Sequence, residues 1–197
     1  MLEARRRITS VSNKLWVFAH IQTDGKGRRG RVWIDPVGNF ASTCVFFPKT
    51  TIDKFALSSF TAALSLYDSL DYFSQSKANI SIKWPNDILL NGKKVAGILL
   101  ETIAVGQNKV ALSIGFGVNL ISYPETSELE ESAFSPTSFM AETGVTLDPI
   151  DLLKNLALNF SNYEGTLKAK GFSELRNILI SRIPVSYTHL RAHETPR

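Results

Sequence analysis

The sequence predicts an α+β fold in which a mixed, largely antiparallel sheet is flanked by helices. Short runs rich in β-branched and aromatic residues alternate with turn residues, which is typical of strands. An Asn91-Gly92 pair between two apolar runs is a strong local signal for a hairpin. Apolar residues recur every two to four positions over residues 53–73, which predicts a helix with one buried face.

The strands are bounded by glycine, proline, asparagine or aspartate. They are predicted over residues 15–22, 40–47, 80–83, 87–90, 93–101 and 109–120. The helix over residues 53–73 has Asp53 as its candidate cap. Asp148 followed by Pro149 is a strong helix start and predicts a helix to about Lys168. A further helix is predicted from about Ser173 to Ser181, and a short one around residues 137–142.

The Asn91-Gly92 turn also predicts a register. If the turn is tight, Leu90 pairs with Lys93 and Leu89 with Lys94, because both turn residues tolerate a positive φ. Strict alternation then places two sets of side chains on opposite faces of the second strand. One face would carry Lys94, Ala96, Ile98 and Leu100, and the other Lys93, Val95, Gly97 and Leu99.

Composition bounds the class of protein. The chain has 197 residues, 44% of them hydrophobic and 20% charged, which is typical of a soluble globular domain. No apolar run approaches the roughly 20 residues of a membrane helix. A single cysteine, Cys44, excludes an intrachain disulfide, so we expect a reducing, cytoplasmic location. The net charge of +4 is too small to demand a nucleic-acid partner.

The first candidate site is a glycine- and arginine-rich loop from Gln22 to Trp33. It contains the pattern G-x-G-x-x-G, which also occurs in dinucleotide-binding folds. Those folds need a helix that begins at the glycines, whereas here an extended run leads to Pro36, so that interpretation is disfavoured. A kinase also needs H-R-D and D-F-G motifs, and neither occurs. Glycines let the backbone approach a ligand, and nearby cations favour a carboxylate or a polyphosphate. These cations are Lys26, Arg28, Arg29 and Arg31. The alternative is a solvated basic turn that contacts RNA.

The second candidate site is the segment Lys83-Trp84-Pro85-Asn86-Asp87. Because the residue before a proline is kept out of the helical region, this segment is predicted to be extended. Asn86 and Asp87 then offer oxygens at a strand end, of the kind used by Mg²⁺ carried on a nucleotide. The alternative is an Asx-type turn that leads into the hairpin.

The third candidate site combines Lys94 with Gly97, Gly115 and Gly117, all inside predicted strands. Glycine weakens a strand and often marks the close approach of a ligand. Three glycines on adjacent predicted strands therefore suggest a flat small molecule against the sheet. A lysine that enters the apolar face of a sheet needs an anionic partner.

Taken together, these segments resemble the motif set of the biotin protein ligases, in that family's order and spacing. The match covers roughly residues 2–183 and is carried by Gln22–Trp33, Lys83–Asp87, Lys94–Glu101 and Gly115–Asn119. The resemblance implies a fold like the class II aminoacyl-tRNA synthetase catalytic core. It also implies an ATP-dependent ligase that joins biotin to a lysine of a biotin carboxyl carrier protein domain through biotinyl-AMP. Lipoate ligases and octanoyl transferases of the same superfamily are the alternative.

The resemblance implies a role for most of the residues named above. Lys94 and Arg28 are implied to be catalytic. The implied biotin-binding residues are Gln22, Gly25, Lys26, Gly27, Arg28, Lys94, Gly97, Gly115 and Gly117. The implied ATP- or adenylate-binding residues are Arg29, Arg31, Trp33, Lys83, Asn86, Asp87 and Asn119. Mg²⁺ is expected to arrive with ATP, and its protein ligands are left unassigned.

The sequence also departs from the family pattern. Lys26 stands where the family usually has arginine, which keeps the charge but loses the forked hydrogen bonding of a guanidinium. Residues 1–183 are expected to form a catalytic domain that lacks the family's first strand region and its small β-rich C-terminal domain. Residues 184–197 are interpreted as a non-native tail. No DNA-binding domain and no membrane segment are predicted, and the resemblance is compatible with a homodimer.

A non-catalytic module that binds RNA through the basic loop is the competing class of function. It relies on that loop and on a sequence pI of about 9.2. Base-stacking platforms interleave aromatic residues with such cations, and Trp33 is the one aromatic residue in this loop. The enzyme hypothesis is therefore preferred.

Overall fold

A six-stranded antiparallel sheet with the order β1-β2-β6-β5-β4-β3 forms the centre of the molecule. The computed structural model describes residues 1–10, 12–106, 109–125 and 134–184. The strands are β1 (Leu15–Ala19), β2 (Phe40–Phe46), β3 (Ile80–Lys83), β4 (Asp87–Leu90), β5 (Lys93–Val105) and β6 (Lys109–Val118). One parallel bridge, between Lys94 and Pro136, adds a mixed element at the start of β5. The predicted fold class is confirmed.

Five helices accompany the sheet in the described ranges. They are α1 (Leu2–Arg7), α2 (Ser58–Ser74), α3 (Phe139–Thr143), α4 (Pro149–Lys170) and α5 (Phe172–Ile180). Asp148 caps α4 as predicted, because its Oδ1 accepts hydrogen bonds from the backbone N–H groups of Ile150 and Asp151, at 2.7 and 3.2 Å. No helix in this part of the chain has the length and apolar character needed to cross a membrane.

The two faces of the sheet are covered unequally. Alternate residues of each strand face α2, α4 and α5, where Phe160 of α4 contacts the rings of Trp16 and Phe46 at centroid distances of 5.9 and 6.1 Å. On the opposite face, short helix α1 covers a much smaller apolar cluster. Its buried members are Ala4, Ile8, Val45, Ile103 and Ala111. The rest of this second face is left open for a ligand.

The hairpin after Asn91 has the predicted register, with Leu90 paired to Lys93 and Leu89 to Lys94. The predicted grouping of side chains is wrong, however, because a β-bulge follows. Ile88 pairs with Ala96, so Val95 is an extra residue on β5. The bulge moves Lys94 off the face that carries Ala96 and onto the open face of the sheet.

Several boundaries differ from the prediction for local reasons. Residues 2–7, for which the sequence analysis predicts no element, are helical, because Leu, Glu, Ala and Arg favour helices and Glu3 pairs with Arg7 at 2.6 Å. Strand β1 ends at Ala19 rather than at residue 22. The helix expected from residue 53 begins as a 3₁₀ turn, Ile52–Leu57, so Asp53 lies inside the turn and is not a cap. The tail expected from residue 184 lies, beyond its first residue, outside the described residues.

The outer edge of β3 is supported by the end of α5. The backbone N–H of Ile82 donates to the carbonyl of Arg182 at 2.9 Å. Arg182 in turn pairs with Asp68 of α2 at 2.7 Å, and Tyr163 of α4 donates to the same carboxylate. Burial, together with Asp68, raises the pKa of Tyr163 to about 12. These contacts hold β3, the strand that ends at Lys83, in place.

Candidate active site

A cavity of about 740 Å³ lies on the open face of the sheet. The glycine- and arginine-rich loop and the lysine after the Asn-Gly turn both line it, as the sequence analysis predicts. Of the sixteen predicted site residues, fifteen border this cavity. They are Gln22, Lys26, Gly27, Arg28, Arg29, Arg31, Trp33, Lys83, Asn86, Asp87, Lys94, Gly97, Gly115, Gly117 and Asn119.

The loop folds back on itself as a narrow, hairpin-like turn. Lys26 and Val32 form an antiparallel bridge, and the Trp33 N–H donates to the Gly25 carbonyl at 2.9 Å. Arg29 and Gly30 form the tip with φ values of 59° and 76°. Arginine rarely adopts this left-handed conformation, so the tip is held by the cross-loop hydrogen bonds.

Gly25 is the exception among the predicted site residues. Gly25 does not border the main cavity. It lies at the base of the loop and lines a second, smaller cavity there. A side chain at Gly25 would collide with the backbone carbonyl of Trp33. The structure therefore places Gly25 where the two loop strands meet closely, outside the lining of the main cavity, and its contact with biotin stays a prediction.

Lys94 is held at the cavity by its backbone and by an ion pair. Its N–H donates to the Ser135 carbonyl and its carbonyl accepts from Thr137, both at 2.9 Å. Its ammonium lies 2.9 Å from Asp87 Oδ1 and 5.7 Å from the ring centroid of Trp33. The lysine is therefore anchored between the second candidate segment and the loop, which places all three predicted segments around one space.

The segment from Lys83 to Asp87 forms one wall of the cavity. It was predicted to be extended, but residues 84–86 form the turn that joins β3 to β4, with a cis peptide between Trp84 and Pro85. The Lys83 ammonium lies 3.6 Å from the ring centroid of Phe134. Burial lowers the pKa of Lys83; Asp87 opposes this shift, and Lys94 and Arg31 add to it. Arg28 Nη1 donates to Asn86 Oδ1 at 3.1 Å. This hydrogen bond ties the loop across the cavity to the wall.

Gly97, Gly115 and Gly117 form a flat floor of the cavity. The indole ring of Trp33 lies on two of them, Gly97 and Gly117. A Cβ added at Gly117 would lie 2.6 Å from Trp33 Cε2, and one added at Gly97 would lie 3.1 Å from Trp33 Cζ3. The Trp33 Nε1 is buried and has no hydrogen-bond partner. At Gly115 the nearest group is the methyl end of the Met1 side chain, 2.8 Å from an added Cβ. Two of the three glycines thus carry a planar side chain of the protein itself, and the contact with a flat small molecule stays a prediction.

Positive charge is concentrated around the cavity. Among the described residues that line it, seven are basic and three are acidic, which gives a net formal charge of +4. The basic ones are Arg5, Lys26, Arg28, Arg29, Arg31, Lys83 and Lys94, and the acidic ones are Asp24, Asp87 and Glu101. This excess of positive charge attracts an anion to the cavity.

Sequence reasoning missed the residues that reach the cavity only through strand pairing or through α1. Thr43 lines the floor because it pairs with Gly115. Arg5 and Glu101 face each other at one end, 3.3 Å apart. Their contribution depends on the order of the strands and on the packing of α1, and no local motif marks either.

The structure offers little for a metal ion held by protein alone. In the described ranges, no group of three or more His, Cys, Asp or Glu side chains is placed to hold one. Asn86 and Asp87 present an amide and a carboxylate oxygen at the cavity wall. Such a pair fits an ion that is held chiefly by the phosphates of a bound nucleotide.

Asp35, near the base of the loop, should make stability depend on pH. Its Oδ1 is buried without a hydrogen-bond partner, and burial raises its pKa from 3.8 to about 6. An acid with a raised pKa stabilises the fold at low pH, and this contribution is lost as the pH rises through about 6. We expect Asp35→Asn to be more stable than the parent at pH 8 by about 1 kcal/mol, allowing for solvent screening of a partly exposed group. Melting temperatures between pH 4 and pH 8 test this, and an equal gain at both ends would contradict it.

The antiparallel sheet with a cationic, glycine-floored cavity has the architecture and charge of an α+β enzyme for anionic small molecules. The family model of the biotin/lipoate A/B protein ligases matches residues 1–119. The chain therefore belongs to the biotin/lipoate A/B protein ligase family, as the sequence motifs predicted.

Relatives and solved structures agree with this membership. A biotin--[acetyl-CoA-carboxylase] ligase of Paracoccus denitrificans is 43% identical over 180 residues, which covers 91% of this chain and 75% of that protein. The biotin protein ligase of Aquifex aeolicus, in complex with biotin and ATP, is 25% identical with a TM-score of 0.69, over 85% of this chain and 68% of that one. The biotin protein ligase of Leishmania major, in complex with biotin, shares the fold at 19% identity and a TM-score of 0.77, over 100% of this chain and 80% of that one. The chain spans 54% of the length of the bifunctional ligase/repressors of two Bacillus species that it also matches.

Proposed function

We propose that this chain catalyses the ATP-dependent attachment of biotin to a lysine of a biotin carboxyl carrier protein domain, with biotinyl-AMP as the intermediate. The observation that supports it most directly is the convergence of the basic loop and Lys94 on one cavity. An anionic carboxylate must meet an anionic phosphate in the first step. Fixed positive charge around the cavity reduces their repulsion and stabilises the charge that develops.

The proposed reaction has two steps. A carboxylate oxygen of biotin forms a bond to the α-phosphorus of ATP, and the bond to pyrophosphate breaks. The amine of the carrier lysine then forms a bond to the acyl carbon, AMP leaves with the electron pair of the broken bond, and the amine loses a proton. The chief task of the chain in the first step is to position two anions, which is how phosphoryl-transfer enzymes obtain most of their rate.

Lys94 and Arg28 are the proposed catalytic residues. The Lys94 ammonium is held at the cavity by Asp87 and by backbone hydrogen bonds, so it can contact the biotin carboxylate and the α-phosphate. Arg28 reaches across the cavity to Asn86, and a bound phosphate would compete for the same guanidinium.

The remaining roles are those that the family resemblance implies, and all of these residues except Gly25 line the cavity. We propose that biotin contacts Gln22, Gly25, Lys26, Gly27, Gly97, Gly115 and Gly117. We propose that ATP or the adenylate contacts Arg29, Arg31, Trp33, Lys83, Asn86, Asp87 and Asn119, with Trp33 offering a flat ring for the adenine. Mg²⁺ bound to the nucleotide would supply further charge neutralisation at the phosphates, and Asn86 and Asp87 are the residues placed to support it.

The test is isotope exchange between pyrophosphate and ATP. The purified chain should catalyse this exchange when biotin is present and not when it is absent, because the exchange requires reversible formation of the adenylate. Transfer of labelled biotin to a carrier domain tests the second step. Exchange that requires lipoate or octanoate, and does not occur with biotin, would move the assignment to the lipoate branch that shares the family model.

A further inference from the structure

We propose that Glu142 is a positioning residue, which holds the backbone on two sides of Lys94 so that the lysine ammonium stays at the cavity. This inference rests on the proposed function and adds a residue from outside the cavity to the first step of the reaction. Glu142 belongs to α3 and is not among the described residues that line the cavity. It therefore acts on the reaction through Lys94 and not by touching a substrate.

Three hydrogen-bond donors converge on the Glu142 carboxylate. Oε1 accepts from the Thr137 hydroxyl at 2.6 Å and from the Lys93 ammonium at 3.0 Å, and Oε2 accepts from the Asn91 amide at 2.7 Å. The Glu142 side chain is only 10% exposed. The hydrogen bond from Thr137, followed by those from the other two donors, lowers the pKa of Glu142, and burial opposes them only in part. The carboxylate is therefore charged at neutral pH, and charge-assisted hydrogen bonds fix its position.

The three donors come from the two segments that border Lys94. Asn91 lies in the turn before β5 and Lys93 is the first residue of β5, so both precede Lys94 directly in the chain. Thr137 lies in the segment beside β5, and its N–H donates to the Lys94 carbonyl at 2.9 Å. Glu142 thus joins the turn before Lys94 to the segment beside it.

The backbone at Lys94 needs this support because β5 is irregular there. A β-bulge at Val95, immediately after Lys94, interrupts the ladder between β4 and β5. On the other side of Lys94 the only partner in the described ranges is the short segment that forms the parallel bridge at Pro136. Asp87 holds the ammonium at 2.9 Å, but a substrate anion competes for the same charge. The backbone frame then decides where the ammonium lies.

The segment beside β5 keeps other anchors when Glu142 is replaced. The Asn119 amide donates to the Thr137 carbonyl at 3.0 Å, and the Phe139 N–H donates to the Asn119 carbonyl at 2.8 Å. The Phe139 side chain is fully buried in the main core. We therefore expect the loss of the carboxylate to loosen the frame around the lysine without unfolding α3.

An exchange of the two paired groups tests the proposal. Glu142→Gln keeps the size of the side chain, but in either orientation its new amide faces a donor, the Asn91 amide or the Lys93 ammonium. Asn91→Asp alone brings two carboxylates together. Each single variant should reduce biotin-dependent pyrophosphate exchange at saturating biotin and ATP at least ~10-fold, because a small displacement of a catalytic group is costly.

The double variant Glu142→Gln/Asn91→Asp should recover most of this activity. It restores a donor opposite an acceptor and leaves a carboxylate near Lys93. Residue 91 has a φ of 49°, and aspartate tolerates this left-handed conformation nearly as well as asparagine. A double variant no more active than Glu142→Gln would overturn the proposal.

Titration calorimetry with biotin and with its neutral amide separates positioning from a general structural effect. Lys94 attracts the biotin carboxylate, which the amide lacks. Glu142→Gln should therefore raise the biotin Kd roughly fivefold, since a displaced ammonium loses part of a charge-assisted hydrogen bond. The Kd of the amide should stay at the parental value. A structural distortion of the cavity would instead weaken both ligands alike.

Glu164→Gln is the matched control. Glu164 pairs with Lys14 on the side of the sheet that α4 covers, and its side chain is 28% exposed. Its replacement removes a comparable ion pair away from the cavity, so exchange and binding should match the parent. Circular dichroism shows whether each variant is folded. If Glu142→Gln does not fold, Thr137→Val, which removes one donor and keeps the side-chain shape, carries the same comparison with a smaller loss.

Two further results would overturn the role of Glu142: a parental exchange rate in folded Glu142→Gln, or equal weakening of biotin and its amide. A parent chain without biotin-dependent exchange would instead overturn the proposed function, and with it this inference. The two failures are therefore distinguishable.

Discussion

Replacing Lys94 by alanine is expected to reduce biotin-dependent pyrophosphate exchange at least ~100-fold, the loss typical of removing a charge-stabilising group from a transition state. The ammonium is the cation that both the loop and the cavity wall approach, since it lies beside Trp33 and pairs with Asp87. Exchange rates measured at saturating biotin and ATP separate this effect from weaker binding. Lys94→Arg keeps the charge but not its position, so only partial activity is expected.

Lys93 is the matched control for this prediction. It is the adjacent residue on β5, but its side chain is 51% exposed and pairs with Glu142 at 3.0 Å, away from the cavity. Lys93→Ala should remove one partner of Glu142 but leave the other two, Asn91 and Thr137, so we expect it to keep near-parental exchange. Equal activities for Lys94→Ala and the parent would show that the charge at Lys94 is not required for adenylation, and equal losses in the two variants would show that the effect is not specific to Lys94.

The position of Lys94 also shows where sequence reasoning succeeds and where it fails. The Asn91-Gly92 turn fixes the pairing of the first residues after it, because turn type and register are coupled, and that pairing is confirmed. The bulge at Val95 has no comparable signal in the sequence. It depends on how β5 must bend to satisfy β4 and β6 together, and it reverses the face on which the lysine lies.

The residues of the site divide in the same way into those that the sequence could predict and those that it could not. The loop from Gln22 to Trp33 could be predicted because glycines and arginines combined in one short segment favour an anion-binding turn on local chemistry alone. The presence of Thr43 at the cavity could not, because it depends on which residue of β6 lies opposite, and β6 is far away in the sequence. Gly97 and Gly117 were correctly placed at a flat floor, but the indole that covers them comes from the loop, and its packing follows only from the tertiary structure.

Gly117→Ala is expected to displace the Trp33 indole and to reduce biotin-dependent exchange by at least ~10-fold, because well-packed sites do not accept an added methyl group without a shift. The new Cβ would lie 2.6 Å from the indole, and Gly117 has an ordinary backbone conformation, so the cost is steric and not backbone strain. Trp33 should become more exposed, which a red shift of tryptophan emission would report. Comparison with a Trp33→Phe variant assigns the signal among the three tryptophans.

A double-mutant cycle with Trp33→Ala distinguishes two roles of Gly117, which are to seat the Trp33 indole or to contact the substrate directly. If Gly117 serves chiefly to seat the indole, adding Gly117→Ala to Trp33→Ala should cost little further activity, because the clash is gone. If Gly117 instead contacts the substrate directly, the methyl group should reduce exchange activity by the same factor in both backgrounds.

Gly165→Ala is the matched control, since a Cβ there meets nothing within 4 Å and the residue lies inside helix α4. That variant should keep its activity and gain about 0.5–1 kcal/mol of stability. Unchanged emission and exchange in Gly117→Ala would mean that the indole does not rest on this floor in solution.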